Sequence, residues 1–157
     1  PELASDSSPI IDAVEHLLKA LEKNENYKPE FVALLQPTAP FTLAEDIDGA
    51  FKALLSTGAD AAVSLCQSEV EPDWLRRVDA NGFIAPLFKP DCPAHTPRQA
   101  MPKTLRLNGA VYWVKTQALL SGRTFLPARC APYEMPAERS IDIDSEIDLK
   151  IANLLAE

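Results

Sequence analysis

Residues 31–40 read Phe31-Val32-Ala33-Leu34-Leu35-Gln36-Pro37-Thr38-Ala39-Pro40. The unbroken apolar run Phe31 to Leu35 has no polar alternation, which is how a strand covered on both faces reads. Gln36-Pro37-Thr38-Ala39-Pro40 then stops it, because proline has no backbone N–H to continue a ladder. Upstream, Ser8-Pro9 opens a helix with a capping hydroxyl and a proline at the first helical position. Ile10, Val14, Leu17, Leu18 and Leu21 repeat at helical spacing until the polar run Lys23 to Asn26. Downstream, Thr42 and Glu45 form a capping box for a second helix, whose apolar stripe is Ile47, Ala50, Phe51 and Leu54. Gly58 suits the position just past its end. Ala61 to Cys66 reads as another buried strand. The order helix, strand, helix, strand predicts an α/β domain with a mainly parallel sheet flanked by helices.

The rest of the chain is less regular. Trp74 to Val78 and Phe83 to Leu87 flank Asp79-Ala80-Asn81-Gly82, and Asn-Gly between strand-like runs predicts a hairpin. Residues 89–104 are rich in proline and polar groups and read as a long loop, a class that is usually functional or mobile. Ala110 to Val114 is a further strand, Ile141 to Ile143 a short one. A final helix carries Ile147, Ile151, Leu154 and Leu155 on one face. There is no internal repeat and no low-complexity segment.

The bulk numbers bound the function. A chain of 157 residues with 46% apolar content makes one folded domain with a real core. The net charge of −8 argues against nonspecific nucleic-acid binding, which needs a basic surface. It does not exclude a nucleotide held by a few local cations and a metal. Cys66, Cys92 and Cys130 show no Cys-x-x-Cys spacing, so free thiols in a reducing, cytoplasmic setting are expected. No apolar run approaches the ~20 residues of a membrane span, and no signal peptide is readable. The chain opens at Pro1 and not at Met, so a preceding segment is expected.

Several constellations can carry chemistry. Asp142 and Asp144 in Ser140-Ile141-Asp142-Ile143-Asp144 are two apart, and on a strand such residues point to one side. Two convergent carboxylates suit a hard cation such as Mg²⁺; alternatively one of them caps the helix that follows. Gln36 sits where open α/β sheets bind ligands, or else simply in a turn. Arg98-Gln99, with Lys103 and Arg106 after it, offers either an anion clamp or a solvated basic loop. Asn108-Gly109-Ala110-Val111-Tyr112 combines a turn with an aromatic strand, and Tyr112 either presents its hydroxyl to a ligand or packs in the core. Phe125 and Tyr133 read as packing. His16 and His95 have no second histidine at ligand spacing, which argues against zinc. No glycine-rich phosphate loop and no Ser/His/Asp arrangement is present.

In order along the chain, Leu3-Ala4-Ser5-Asp6, Leu34 to Pro40, Arg98-Gln99, Asn108 to Tyr112 and Ser140 to Asp144 resemble the CMP-acylneuraminate synthetases, the cytidylyltransferases that activate sialic acids. The resemblance covers nearly the whole chain. It implies a nucleotide-diphospho-sugar transferase-like fold and a homodimer, with residues 72–104 as a hairpin and loop insertion reaching toward the partner. It implies transfer of CMP from CTP to a nine-carbon 2-keto sugar acid with Mg²⁺. Asp142 and Asp144 match the metal carboxylates. Gln36, Arg98, Gln99, Asn108, Tyr112 and Phe125 match substrate-site positions, Arg98 facing the sugar carboxylate. Arg76 or Arg77 on the hairpin would reach the partner's site. Two departures stand out. Pro97 occupies a position where the family often has a second arginine. The strand and basic glycine-containing loop with which the family begins, and which grips the triphosphate, have no counterpart in residues 1–157, so the resemblance leaves a mid-sheet strand and the CTP half of the site to be supplied. Alternatives are a noncatalytic dimeric sugar-binding module and a cytidylyltransferase for another sugar acid such as 3-deoxy-octulosonate.

Overall fold

A computed structural model of the chain describes residues 8–89 and 102–156. Helix α1 (Ile10–Glu25) leads into β1 (Phe31–Leu35), α2 (Ala44–Thr57) and β2 (Ala61–Gln67). A short hairpin of β3 (Arg76–Val78) and β4 (Ile84–Pro86) precedes the long β5 (Leu105–Lys115). Helix α3 (Thr116–Gly122), β6 (Cys130–Glu134) and α4 (Glu146–Leu155) complete the order. The main sheet is four-stranded with spatial order β1-β5-β2-β6.

The sheet is mixed, and this corrects the expected mainly parallel one. β5 pairs antiparallel with both β1 and β2, and β2 pairs parallel with β6. β1, β2 and β6 therefore run one way, as the helix–strand alternation demands. β5, which follows the hairpin in the chain, slots between the first two in the opposite sense.

Period-2 alternation distributes β5 between two cores. Val111 and Trp113 face α2, where they meet Ala50, Ala62, Leu54 and Met135. Tyr112 and Val114 face the other side with Phe125, Leu119 and the α1 residues Ile11, Val14 and Leu18. Arg123, at the end of α3, pairs with Asp12 and Glu15 and ties α1 to that side. Helix α1 ends at Asn26, whose left-handed φ of 52° lets its N–H bond Glu22 O. Helix α2 ends at Gly58 in the same way, as the sequence predicts. Its start lies one residue later than expected: Leu43 is the cap, and its N–H is held by Asp46 Oδ2 at 3.0 Å, while Thr42 Oγ1 donates to Ala39 O.

Two further elements differ from expectation. Ile141 to Ile143 forms no strand; Ile143 N–H bonds Thr38 O at 2.8 Å. The hairpin forms with Gly82 at φ 84° and Asp79 Oδ1 accepting from Asn81 and Phe83 N–H, but its strands are only three residues each. It stands apart from the main sheet, with Val78, Phe83 and Ile84 at 70%, 70% and 78% exposure.

Candidate functional site

The site is built on a bulge in β5. Between the pairs Val63↔Tyr112 and Leu65↔Leu107, β2 supplies only Ser64 while β5 supplies Asn108 to Val111. The expected turn at Asn108-Gly109 is thus an excursion inside one strand. Ser64 fills the gap, its Oγ accepting from Val111 N–H at 2.8 Å. Gly109 sits at φ +74°, a conformation that favours glycine.

Gly109 also brings two sequence-predicted residues together. A Cβ on it would lie 2.6 Å from Asp142 Oδ2 and 3.1 Å from Gln36 Oε1. The end of β1 and the strap leading into α4 therefore meet over the bare backbone of the bulge. Two acceptor oxygens face one point, and Asp142 Oδ1 is buried without a hydrogen-bond partner among the described residues. A buried carboxylate oxygen left alone calls for a cation or a donor from outside the fold. Gln36 can turn its amide to offer either a donor or an acceptor there.

Tyr112 is the third member. Burial first, and then the negative charge of Asp142, push its phenol above the ordinary tyrosine range. Phe125 stands edge-on behind it, ring centroids 6.3 Å apart, and packs in the core with Val114 and Leu119. In this structure Phe125 supports Tyr112 from behind. Asn108 is placed differently from its expected role: its side chain is fully buried beneath the bulge, bonded to Ser64 and Ser140. Arg98 and Gln99 lie outside the described residues.

Asp144 is exposed, so the two carboxylates occupy unlike environments. Neither caps α4. That role falls to Ser145 and Asp148, whose Oδ2 accepts from Ser145 N–H at 2.8 Å and from Ser145 Oγ at 2.6 Å. The Ser145 hydroxyl, first, and these backbone donors hold the Asp148 carboxyl below its usual range. Both sequence-predicted carboxylates are thus left over from the capping of α4. Among the described residues no group of three or more His, Cys, Asp or Glu side chains converges, which disfavours an all-protein metal cage. The donor set suits Mg²⁺, which is commonly bound through one or two carboxylates together with substrate phosphates.

A buried ion pair with no local signal in the sequence sets the frame. Asp46 is fully buried and accepts from Arg139 Nε at 2.9 Å and Nη2 at 2.8 Å. Burial raises its pKa, but Arg139 and the Leu43 N–H outweigh that and hold the carboxyl below the usual range. Tyr133 OH adds a bond at 3.3 Å, and its ring reaches α2 because Gly49 has no Cβ to meet it. Arg139 immediately precedes Ser140, so the pair anchors the strap carrying Asp142 to the start of α2.

No family profile matches the chain. It is 29% identical over 158 residues to a CMP-N,N'-diacetyllegionaminic acid synthase of Legionella pneumophila, covering 99% of the chain and 66% of that protein. It is 28% identical to an N-acylneuraminate cytidylyltransferase of Streptococcus agalactiae, over 94% of the chain and 34% of the relative. A post-translational flagellin modification protein B of Campylobacter coli is 26% identical over 98% of the chain and 64% of its own length. The chain thus spans from about a third to just under two thirds of the relatives it matches. Over nearly its whole length, the chain resembles the acylneuraminate cytidylyltransferases and the CMP-legionaminic acid synthase.

Proposed function

We propose that the chain is the sugar-acid and metal half of a cytidylyltransferase that moves CMP from CTP to a nine-carbon 2-keto sugar acid. The meeting of Gln36 Oε1 and Asp142 Oδ2 over Gly109, with Asp142 Oδ1 buried and without a partner among the described residues, is the observation that carries this reading. The named activities of its relatives support the choice of substrate class. In the reaction, the anomeric oxygen bonds to the α-phosphorus, the bond from that phosphorus to the bridging oxygen breaks, and pyrophosphate leaves. The proton of the attacking hydroxyl passes to solvent.

Asp142, set against the bulge, and the exposed Asp144 would hold Mg²⁺. When bound, the metal offsets the negative charge that gathers on the phosphate oxygens. Gln36 and Tyr112 orient the sugar, Gln36 through its amide and Tyr112 through its hydroxyl. Arg98 and Gln99 are assigned to the sugar acid by the resemblance alone, Arg98 to its carboxylate, since arginine suits a carboxylate. The hairpin within residues 72–104 is a dimerisation element of a homodimer, consistent with its exposed Val78, Phe83 and Ile84. A cytoplasmic setting fits the unpaired Cys66 and Cys130, and no helix among the described residues is long and apolar enough to cross a membrane.

The test is pyrophosphate release from CTP, N-acetylneuraminate and Mg²⁺, run beside sugar binding by saturation-transfer NMR. Turnover establishes the enzyme. Sugar binding without turnover establishes the noncatalytic module. Absence of both, in a folded protein, contradicts the sugar site itself.

A further inference from the structure

We propose that Asn108 is a positioning residue: from beneath the site it ties the β5 bulge to Ser140 and thereby fixes where the Asp142 carboxylate sits. This rests on reading Asp142 as the ligand-holding carboxylate. Asn108 is 0% exposed. Its Oδ1 accepts from Ser64 Oγ at 2.6 Å and from Ala110 N–H at 3.3 Å. Its Nδ2 donates to Ser140 Oγ at 2.9 Å, and Ser140 Oγ donates onward to Pro136 O at 2.8 Å.

An amide is the side chain that accepts on one flank and donates on the other. Aspartate would set a second acceptor against Ser140 Oγ, and leucine would remove one bond from each of the two hydroxyls in a buried space. The consequence for the site is geometric. Gly109, the next residue, is the backbone on which Asp142 Oδ2 rests. Ser140, two residues before Asp142, begins the strap that carries it. One buried amide therefore holds both sides of the contact that places the carboxylate. Supporting residues of this kind commonly change metal affinity by about 10- to 100-fold when removed.

The Ile143 amide lies on the far side of Asp142 and bonds Thr38 O, so its hydrogen exchange reports whether the strap is seated. The Lys115 amide, bonded to Asp60 O at the other end of the sheet, reports global stability. Both are followed by NMR in the wild-type chain, in Asn108→Ala and in Ser140→Ala, which leaves Asn108 and the bulge in place if the first variant folds poorly. The expected result is a loss of protection at Ile143 at least tenfold greater than at Lys115. Equal loss at both amides in a folded variant overturns the proposal, because Asn108 then contributes only to overall stability. Mn²⁺ titration of the same proteins, with Asp142→Asn as reference, is expected to show at least tenfold weaker binding in the variants. Unchanged Mn²⁺ affinity in the variants overturns positioning. A wild-type chain that takes up no Mn²⁺ removes the metal reading, and the exchange comparison alone then decides the role of Asn108.

Discussion

Replacing Gly109 with alanine perturbs the backbone and the site at one stroke. At φ +74° an L side chain sits in the left-handed region, which costs roughly 1–2 kcal/mol. The added methyl would also lie 2.6 Å from Asp142 Oδ2, far inside van der Waals contact. Displacing a packed carboxylate is an overpacking change of roughly 1–3 kcal/mol. Together these predict a loss of about 2–5 kcal/mol, read by urea unfolding as a lower midpoint at unchanged slope. Two controls separate the contributions. Gly58 has φ +63° but open space around its missing Cβ, so Gly58→Ala carries only the backbone part. In an Asp142→Ala background, Gly109→Ala should lose the steric part and fall to about 1–2 kcal/mol. A Gly109→Ala protein within about 0.5 kcal/mol of wild type would refute the close approach of Asp142 to the bulge.

Further predictions concern the frame, the cap and the hairpin. Arg139→Ala strands the buried Asp46 carboxylate and should lower the midpoint of thermal or urea unfolding; an unchanged midpoint would mean the pair is not formed. Because the folded Asp46 pKa is depressed, the stability advantage of wild type over Asp46→Asn should be full above about pH 4 and shrink as pH falls through the folded value. An advantage that grows on acidification would reverse that sign. Asp144→Ala should weaken Mg²⁺ binding at unchanged Tm, since Ser145 and Asp148 cap α4; a lower Tm with intact binding points to a structural role only. By sedimentation at micromolar concentration the wild type should be a dimer and Ile84→Glu a monomer, whereas a monomeric wild type ends the hairpin-dimer proposal.

Much of this architecture was legible in the sequence, and the misses have physical causes. Phe31 to Leu35, Ala61 to Cys66 and the stripe of α2 declared themselves as apolar runs or a helical period, but only β2 is covered on both faces; β1 lies at the sheet edge with Ala33 and Leu35 exposed. The partner order was not legible: β5 enters between β1 and β2 through a long-range pairing that no local pattern encodes. Asn108-Gly109 carried a turn signal, but the same left-handed glycine serves a bulge when a residue such as Ser64 stands opposite to satisfy it. Strand β6 was missed because Pro132 interrupts its run, a substitution that an edge strand tolerates. Of the candidate residues, Gln36 and Asp142, singled out from a strand end and from spacing, meet over Gly109. Asp46 and Arg139 were not found, because a buried ion pair 93 residues apart leaves no local trace.

Asp142 Oδ1, buried without a partner among the described residues, is proposed to mark a cation site over the β5 bulge. The most direct measurement is substoichiometric Mn²⁺ added to the ¹⁵N-labelled chain, with paramagnetic broadening mapped residue by residue. The account predicts broadening centred on Gly109, Ala110, Asp142 and Asp144, displaced by Mg²⁺ and absent in Asp142→Asn. Broadening that spares these residues, or that persists unchanged in Asp142→Asn, would contradict it.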